Sequence, residues 1–248
     1  MLGEPGGVIM TPGPVPAIVV LTGAGISAES GLRTFRDADG LWEDHRVEDV
    51  ATPEGFRANP ALVHAFYNQR RAQLDTVQPN PAHLALARLE QGWPGGFLLV
   101  TQNVDDLHER AGSRNLVHMH GELRKVRCLH CARVLTWARD TAVATPCPHC
   151  GRAGGLRPHV VWFGEVPLEM PRIQEALERC GRFLAVGTSG NVYPAAGFVE
   201  LAGPRAHTVE LNLEPSLVSR WFRETRLGSA SMTVPALVDQ WLGPLGVP

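Results

Sequence analysis

Four cysteines carry the most specific chemical signal in the sequence. Cys128 and Cys131 form one C-x-x-C pair and Cys147 and Cys150 a second, with 15 residues between the pairs. Two such knuckles supply four thiolates at the spacing of a tetrahedral zinc site. Four protein ligands leave the metal no open position, so one zinc ion with a structural role is expected. His130 and His149 lie within the knuckles and could compete as ligands; cysteine-only ligation is the simpler reading. A redox-active C-x-x-C is the rival, although that chemistry normally uses one pair near a helix N-terminus. Residues 124–155 are rich in cysteine, arginine and turn residues and poor in large aliphatics. Metal binding should therefore supply this segment's folding energy. The fifth cysteine, Cys180, is expected to be a buried core thiol.

A second group of residues follows apolar runs. Gly23, Gly25 and Ala28 fit G-x-G-x-x-G/A directly after Ala17 to Leu21. Such glycines let a backbone approach a pyrophosphate, and the helix that follows offers unpaired N–H groups and a positive dipole end. Alone, the motif fits an ordinary strand–helix turn equally well. The acidic residue expected about 20 residues on has no ordinary βαβ unit to carry it, so a hydride-transferring dehydrogenase is a poorer match. His120 lies in a polar loop after the run Leu116 to His118, and an imidazole can accept a proton near neutral pH. His118 would share its face if the strand ran on that far. Tyr67 and Arg70 lie three apart in a helical stretch and so point from one face. A guanidinium beside a phenol can bind a carboxylate; the plain alternative is a solvated arginine and a half-buried tyrosine. Arg71 should point about 100° away and reads as a surface charge.

The elements that must position these groups alternate. Apolar runs at Ala17 to Leu21, Phe97 to Val100, Phe183 to Val186 and His207 to Leu211 each lead into a glycine or polar loop. Residues 48–89 read as mostly helical, with Pro53, Pro60 and the segment 78–81 as breaks, and Pro235 to Leu242 as a final amphipathic helix. This pattern predicts an α/β chain: a Rossmann-like doubly wound parallel sheet with a smaller zinc-binding and helical module. Ligands bind such sheets at the carboxyl ends of the strands. The expected division is a discontinuous main domain from 15–45, 77–123 and 156–244, a helical insert at 46–76 and a zinc-binding domain at 124–155.

The 248 residues carry a net charge of −2, which gives no electrostatic footprint for nucleic acid or anionic membrane. No apolar run reaches the ~20 residues of a membrane span, and the first residues lack the pattern of a secretory signal. A cytoplasmic monomer is expected.

In order along the chain, GAGISAESGLRTFR (23–36), TQNVD (101–105), HMHGEL (118–123), the two C-x-x-C pairs, VVWFGE (160–165), GTS (187–189) and NLE (212–214) resemble the sirtuin family. The resemblance spans about residues 17–242 and leans to bacterial sirtuins that remove acidic acyl groups. It implies an NAD-dependent protein-lysine deacylase acting on acetyl-, succinyl- and malonyl-lysine proteins. NAD would be consumed: the acyl oxygen attacks the ribose C1′, nicotinamide leaves, and lysine and O-acyl-ADP-ribose are released. By the same resemblance, Gly23, Ala24, Gly25, Ser27, Phe35 and Arg36 line the pyrophosphate, ribose and nicotinamide side. Gln102, Asn103 and Asp105 hold the nicotinamide ribose and amide, with Asn103 and His120 catalytic. Gly187, Thr188, Ser189, Asn212, Leu213, Glu214 and Ala230 surround the adenosine half. Tyr67 and Arg70 line the acyl pocket, and Val160, Phe163 and Gly164 belong to an edge that captures the substrate peptide. An oxidoreductase with a structural zinc site, a zinc-ribbon binding module and a mono-ADP-ribosyltransferase are the rival readings.

Overall fold

The computed structural model describes residues 15–32, the backbone of 41–42, and 45–243. Strand β1 (Ala17–Thr22) leads into the one-turn helix α1 (Ala24–Ala28). A two-residue pair, β2 (Leu41–Trp42) and β3 (His45–Arg46), precedes four helices: α2 (Val47–Val50), α3 (Pro53–Ala58), α4 (Pro60–Gln73) and α5 (Pro81–Gly92). Pro53, Pro60 and Pro81, in the stretches read as breaks, are helix starts. Each occupies the first helical position, where its missing N–H costs nothing, and Thr52, Asn59 and Asn80 cap the three helices with side-chain oxygens.

Strand β4 (Phe97–Thr101), helix α6 (Leu107–Ala111) and strand β5 (Leu116–His118) follow. Next come β6 (Gly121–Cys128), β7 (Val134–Thr136) and β8 (Leu156–Val160), which form their own antiparallel sheet in the order β7-β6-β8. Helix α7 (Met170–Arg179), strand β9 (Cys180–Val186), helix α8 (Phe198–Ala202), strands β10 (His207–Asn212) and β11 (Glu224–Leu227) and helix α9 (Ala230–Leu242) complete the chain. The main sheet is parallel throughout, in the order β11-β10-β9-β1-β4-β5.

The continuous apolar strand sequences follow from burial on both faces. Ile18, Val20, Leu99, Leu184, Val186 and Leu211 face one core with Leu86 and Leu89 of α5 and Val234, Leu237 and Val238 of α9. Val19, Leu21, Leu98, Val100, Phe183 and Ala185 face the other with α7 and α8. Cys180 is buried in that second core, as expected. Helix α9 begins at Ala230, five residues before the proline where the sequence pattern opened it. Burial of Ala230 and Val234 against the sheet carries the helix across Pro235 despite the lost backbone hydrogen bond. No helix among the described residues is long and apolar enough to cross a membrane.

Candidate active site and metal centre

The polar loops gather at the carboxyl ends of β1, β4, β5, β9 and β10. The glycines of the first loop meet another loop of the same protein. A Cβ on Gly25 would lie 2.7 Å from the Gly187 Cα, and one on Gly187, whose φ is +61°, would lie 2.4 Å from the Ile26 nitrogen. The Gly25 N–H donates to the Gly187 carbonyl at 2.9 Å. The glycines thus clamp the β1 and β9 loops backbone to backbone, and the Gly25 N–H is already used. Ala24 lies in this same turn. Phe35 and Arg36 lie outside the described residues.

Behind that clamp is a buried polar network. The Ser27 hydroxyl donates to Asp105 Oδ2 at 3.0 Å, and Asn103 Nδ2 donates to Ser27 Oγ and to the Gly23 carbonyl, both at 3.1 Å. Burial raises the Asp105 carboxyl; the Leu107 N–H and the Ser27 hydroxyl offset only part of this. His83 Nδ1 accepts from the Asn80 N–H in the cap of α5, which leaves Nε2–H to face Ser27 Oγ at 3.4 Å. Burial pushes His83 down to about 4, so it is neutral. His108 Nε2 lies 3.0 Å from Thr22 Oγ1, whose hydroxyl donates to Thr101 Oγ1. The sequence assigned no role to His83, His108, Thr22 or Thr101. A threonine ending each of two apolar strands was the one available signal.

On the adenosine side expected from the sequence, Gln102 Nε2 donates to Thr188 Oγ1 at 3.0 Å, and Asn212 Nδ2 donates to the Thr188 carbonyl at 2.8 Å. The Ser189 carbonyl accepts from the Leu217 N–H, Ala230 is buried at the start of α9, and Leu213 and Glu214 are exposed. Glu210, also missed, organises these loops. Fully buried, it accepts from Ser219, Thr225, Asn212 and the Ser216 N–H. A carboxylate inside the run HTVEL was its signal.

His118, the last residue of β5, and His120 just beyond it hold successive carbonyls. His120 Nδ1 donates to the Gln102 carbonyl at 3.0 Å and His118 Nδ1 to the Asn103 carbonyl at 3.1 Å. They diverge at Nε2. That of His118 lies 2.6 Å from Glu109 Oε1, whereas among the described residues no hydrogen bond engages that of His120. With Nδ1 protonated, the His120 Nε2 carries the lone pair. Burial lowers His120, partly offset by the Gln102 carbonyl. Strand β5 ends at His118, so His120 stands in the turn beyond it.

Helix α4 separates the two arginines differently from the helical-wheel expectation. Tyr67 is fully buried, and its hydroxyl accepts from Trp162 Nε1 at 2.9 Å. Burial raises the phenol strongly, so it stays protonated. Arg70 is partly exposed, its guanidinium 5.3 Å from the Phe66 ring. Arg71, expected at the surface, is 2 % exposed. Its Nε donates to the Leu123 carbonyl at 2.9 Å and its Nη1 to the Arg139 carbonyl at 3.2 Å. The reason is that α4 is covered on that side by the β6 sheet, which the helical pattern alone does not disclose. His64 and Asn68, on the same face, bond Thr141.

Beside this helix, β8 is an end strand, and the chain leaves it through Val160, Phe163 and Gly164. Val161 N–H donates to the His120 carbonyl at 2.8 Å, and Phe163 is 48 % exposed. Arg157, buried, stacks 3.2 Å from the Trp162 ring and makes two hydrogen bonds to Glu165, which also accepts from the Trp162 N–H. Burial would raise the Glu165 carboxyl, but these donors hold it below the usual range.

The four knuckle thiols converge. All four sulfurs lie within 4.8 Å of one another, and Cys128–Cys150 and Cys131–Cys147 are each 3.8 Å apart. A tetrahedron with Zn–S bonds of about 2.3 Å has edges of about 3.8 Å, so the cluster fits zinc; bonded sulfurs would lie about 2.05 Å apart. The knuckles match in backbone as well. Ala132 (φ 59°) and Gly151 (φ 73°) follow the second cysteine of each in the left-handed conformation, and their N–H groups return to the Cys128 and Cys147 carbonyls. Apart from the thiols, the buried cluster around them contains Val126, Trp137 and Leu156.

A model of the Sir2 family matches residues 23–194. An NAD-dependent protein deacylase of Bdellovibrio bacteriovorus is 62% identical over 227 residues, 91% of this chain and 96% of that protein. The enzyme of the same description from Escherichia coli strain K12 is 60% identical over 230 residues, 92% and 82% of the two chains. Among solved structures, a complex of a Sir2 homologue with NAD superimposes with a TM-score of 0.83 at 38% identity, covering 92% of this chain and 91% of that one.

Proposed function

The chain belongs to the Sir2 family, and on that premise we propose that it removes acyl groups from protein lysines at the expense of NAD, giving nicotinamide, O-acyl-ADP-ribose and free lysine. The observation that carries the proposal is the pair of faces at the ends of β4 and β5. Asn103 and Asp105 stand on one side, held by Ser27, and the unengaged His120 Nε2 stands on the other. In this reading NAD is a substrate lying across the strand ends. Its nicotinamide half rests on Gly23, Ala24, Gly25, Ser27, Phe35, Arg36, Gln102, Asn103 and Asp105. Its adenosine half rests on Gly187 to Ser189, Asn212 to Glu214 and Ala230.

Asn103 offers an amide to the leaving group. Asp105 is fixed by two hydrogen bonds before any substrate arrives, and such preorganisation is where catalytic electrostatics come from. His120, neutral and held in one tautomer, takes a proton from a ribose hydroxyl so that its oxygen can attack the acyl carbon. The acylated segment pairs with the open edge at β8 and the Val160, Phe163 and Gly164 turn. Zinc, held by Cys128, Cys131, Cys147 and Cys150, would supply folding energy to the small sheet.

Tyr67 and Arg70 favour acidic acyl groups. A phenol fixed by Trp162 and the guanidinium of Arg70 one turn on can meet a carboxylate with charge-assisted hydrogen bonds. The discriminating assay follows nicotinamide and NADH together during incubation with acylated peptide. Release of nicotinamide without NADH is expected, with formation of free lysine peptide abolished by His120→Ala in a folded protein. Accumulation of NADH, or wild-type turnover by the variant, would refute the reading.

A further inference from the structure

His118 is set up differently from its neighbour, and none of the roles assigned above uses it. Two acceptors face its ring. The Asn103 carbonyl sits 3.1 Å from Nδ1 and Glu109 Oε1 2.6 Å from Nε2. A carbonyl and a carboxylate can only accept, and neutral imidazole has one N–H to give. Satisfying both requires imidazolium. Glu109 depends on the same proton: its other oxygen, Oε2, is buried with no hydrogen-bond partner among the described residues. The charged and titratable groups around the ring come from three elements: Glu109 and the buried His108 of α6, Asp105 of the loop after β4, and Glu122 and Lys125 of β6, which pair with each other.

We propose that His118, as an imidazolium paired with Glu109, is a positioning residue that holds the Asn103 backbone and so fixes the Asn103 side chain for NAD. This rests on the functional reading above. The directions of titration agree with the geometry. Burial lowers His118, but Glu109 outweighs it and the net shift is upward; burial raises Glu109, but His118 outweighs it and the net shift is downward. When the pH rises past the His118 titration, the ring keeps one proton. The Glu109 carboxylate, the stronger acceptor, takes it, and the Asn103 carbonyl is released. A group raised in the fold acts below its titration point and is lost above it.

The test is the KM for NAD of the zinc-replete full chain between neutral and alkaline pH, in wild type, Glu109→Gln and His118→Leu. Wild type should show a KM that climbs by about tenfold on the alkaline side, the usual scale for a charge-assisted hydrogen bond. In Glu109→Gln a neutral His118 can donate to Asn103 and accept from the new amide, so the alkaline climb should vanish. In His118→Leu the KM should be high at every pH. Imidazole 15N NMR should find His118 doubly protonated at neutral pH in wild type and singly protonated in Glu109→Gln. An alkaline climb shared by wild type and Glu109→Gln, or a singly protonated His118 in wild type, would overturn the proposal. If His118→Leu does not fold, those two comparisons still decide. The NMR result stands whether or not the protein turns NAD over, so failure of this proposal is distinguishable from failure of the deacylase reading.

Discussion

The proposed role of His120 as a base requires a neutral imidazole. Burial lowers its titration below the ordinary value of 6.5, and the Gln102 carbonyl restores only part of that. Activity should therefore be complete at neutral pH and fall as the solution is acidified through the lowered value. The acid limb of kcat/KM should lie below 6.5, and a limb above it would contradict the tautomer and the burial together. The sequence offered His118 and His120 as equals, two residues apart after one apolar run, and only the family resemblance chose between them. What separates them physically is Glu109, nine positions before His118 and on another element. No spacing rule links a residue of α6 to the end of β5, so that discrimination was not legible from the residues.

Helix α4 places two neighbouring arginines in different surroundings. Arg70 remains partly exposed beside Phe66, while Arg71 is sealed against the small sheet by the Leu123 and Arg139 carbonyls. Truncating each should have opposite signatures. Arg70→Ala is expected to lose desuccinylation far more than deacetylation with thermal stability little changed. Arg71→Met should strand two carbonyls and cost roughly 2–4 kcal/mol of stability, with acyl preference retained. Paired activity assays and denaturation curves check both; equal loss on the two acyl groups in Arg70→Ala would remove the acidic pocket. Strands buried on both faces, such as β1 and β4, announce themselves as unbroken apolar runs, and prolines and Asx caps mark helix starts. The strands of the small sheet do neither. GELRKVRC (β6) runs into a segment rich in cysteine, arginine and turn residues, and LRPHV (β8) contains a proline, so neither was expected as a strand. With that sheet unseen, the burial of Arg71 against it could not be anticipated.

At the scale of the molecule, one core is large and one is tiny. The parallel sheet closes two extensive apolar layers, whereas the knuckle module has Val126, Trp137 and Leu156 around four thiols. Removing the metal with a chelator should unfold residues 121–160 and leave the parallel sheet. Hydrogen exchange should show protection lost in β6, β7 and β8 and retained in β1, β4 and β9; uniform protection after metal loss would contradict a structural zinc. The four-cysteine spacing made this centre legible in the sequence, because ligand spacing within a knuckle is local. The proposed NAD face was legible as motifs at strand ends, but its buried support by His83, His108 and Glu210 was not, since those side chains meet only through the fold. The most direct test of the whole is mass spectrometry of the products formed from NAD and acetyl- and succinyl-lysine peptides by the zinc-replete protein. Free lysine peptide, nicotinamide and an ADP-ribose carrying the transferred acyl group are expected in equal amounts; intact acyl peptide alongside unconsumed NAD, or ADP-ribose attached to the peptide, would contradict it.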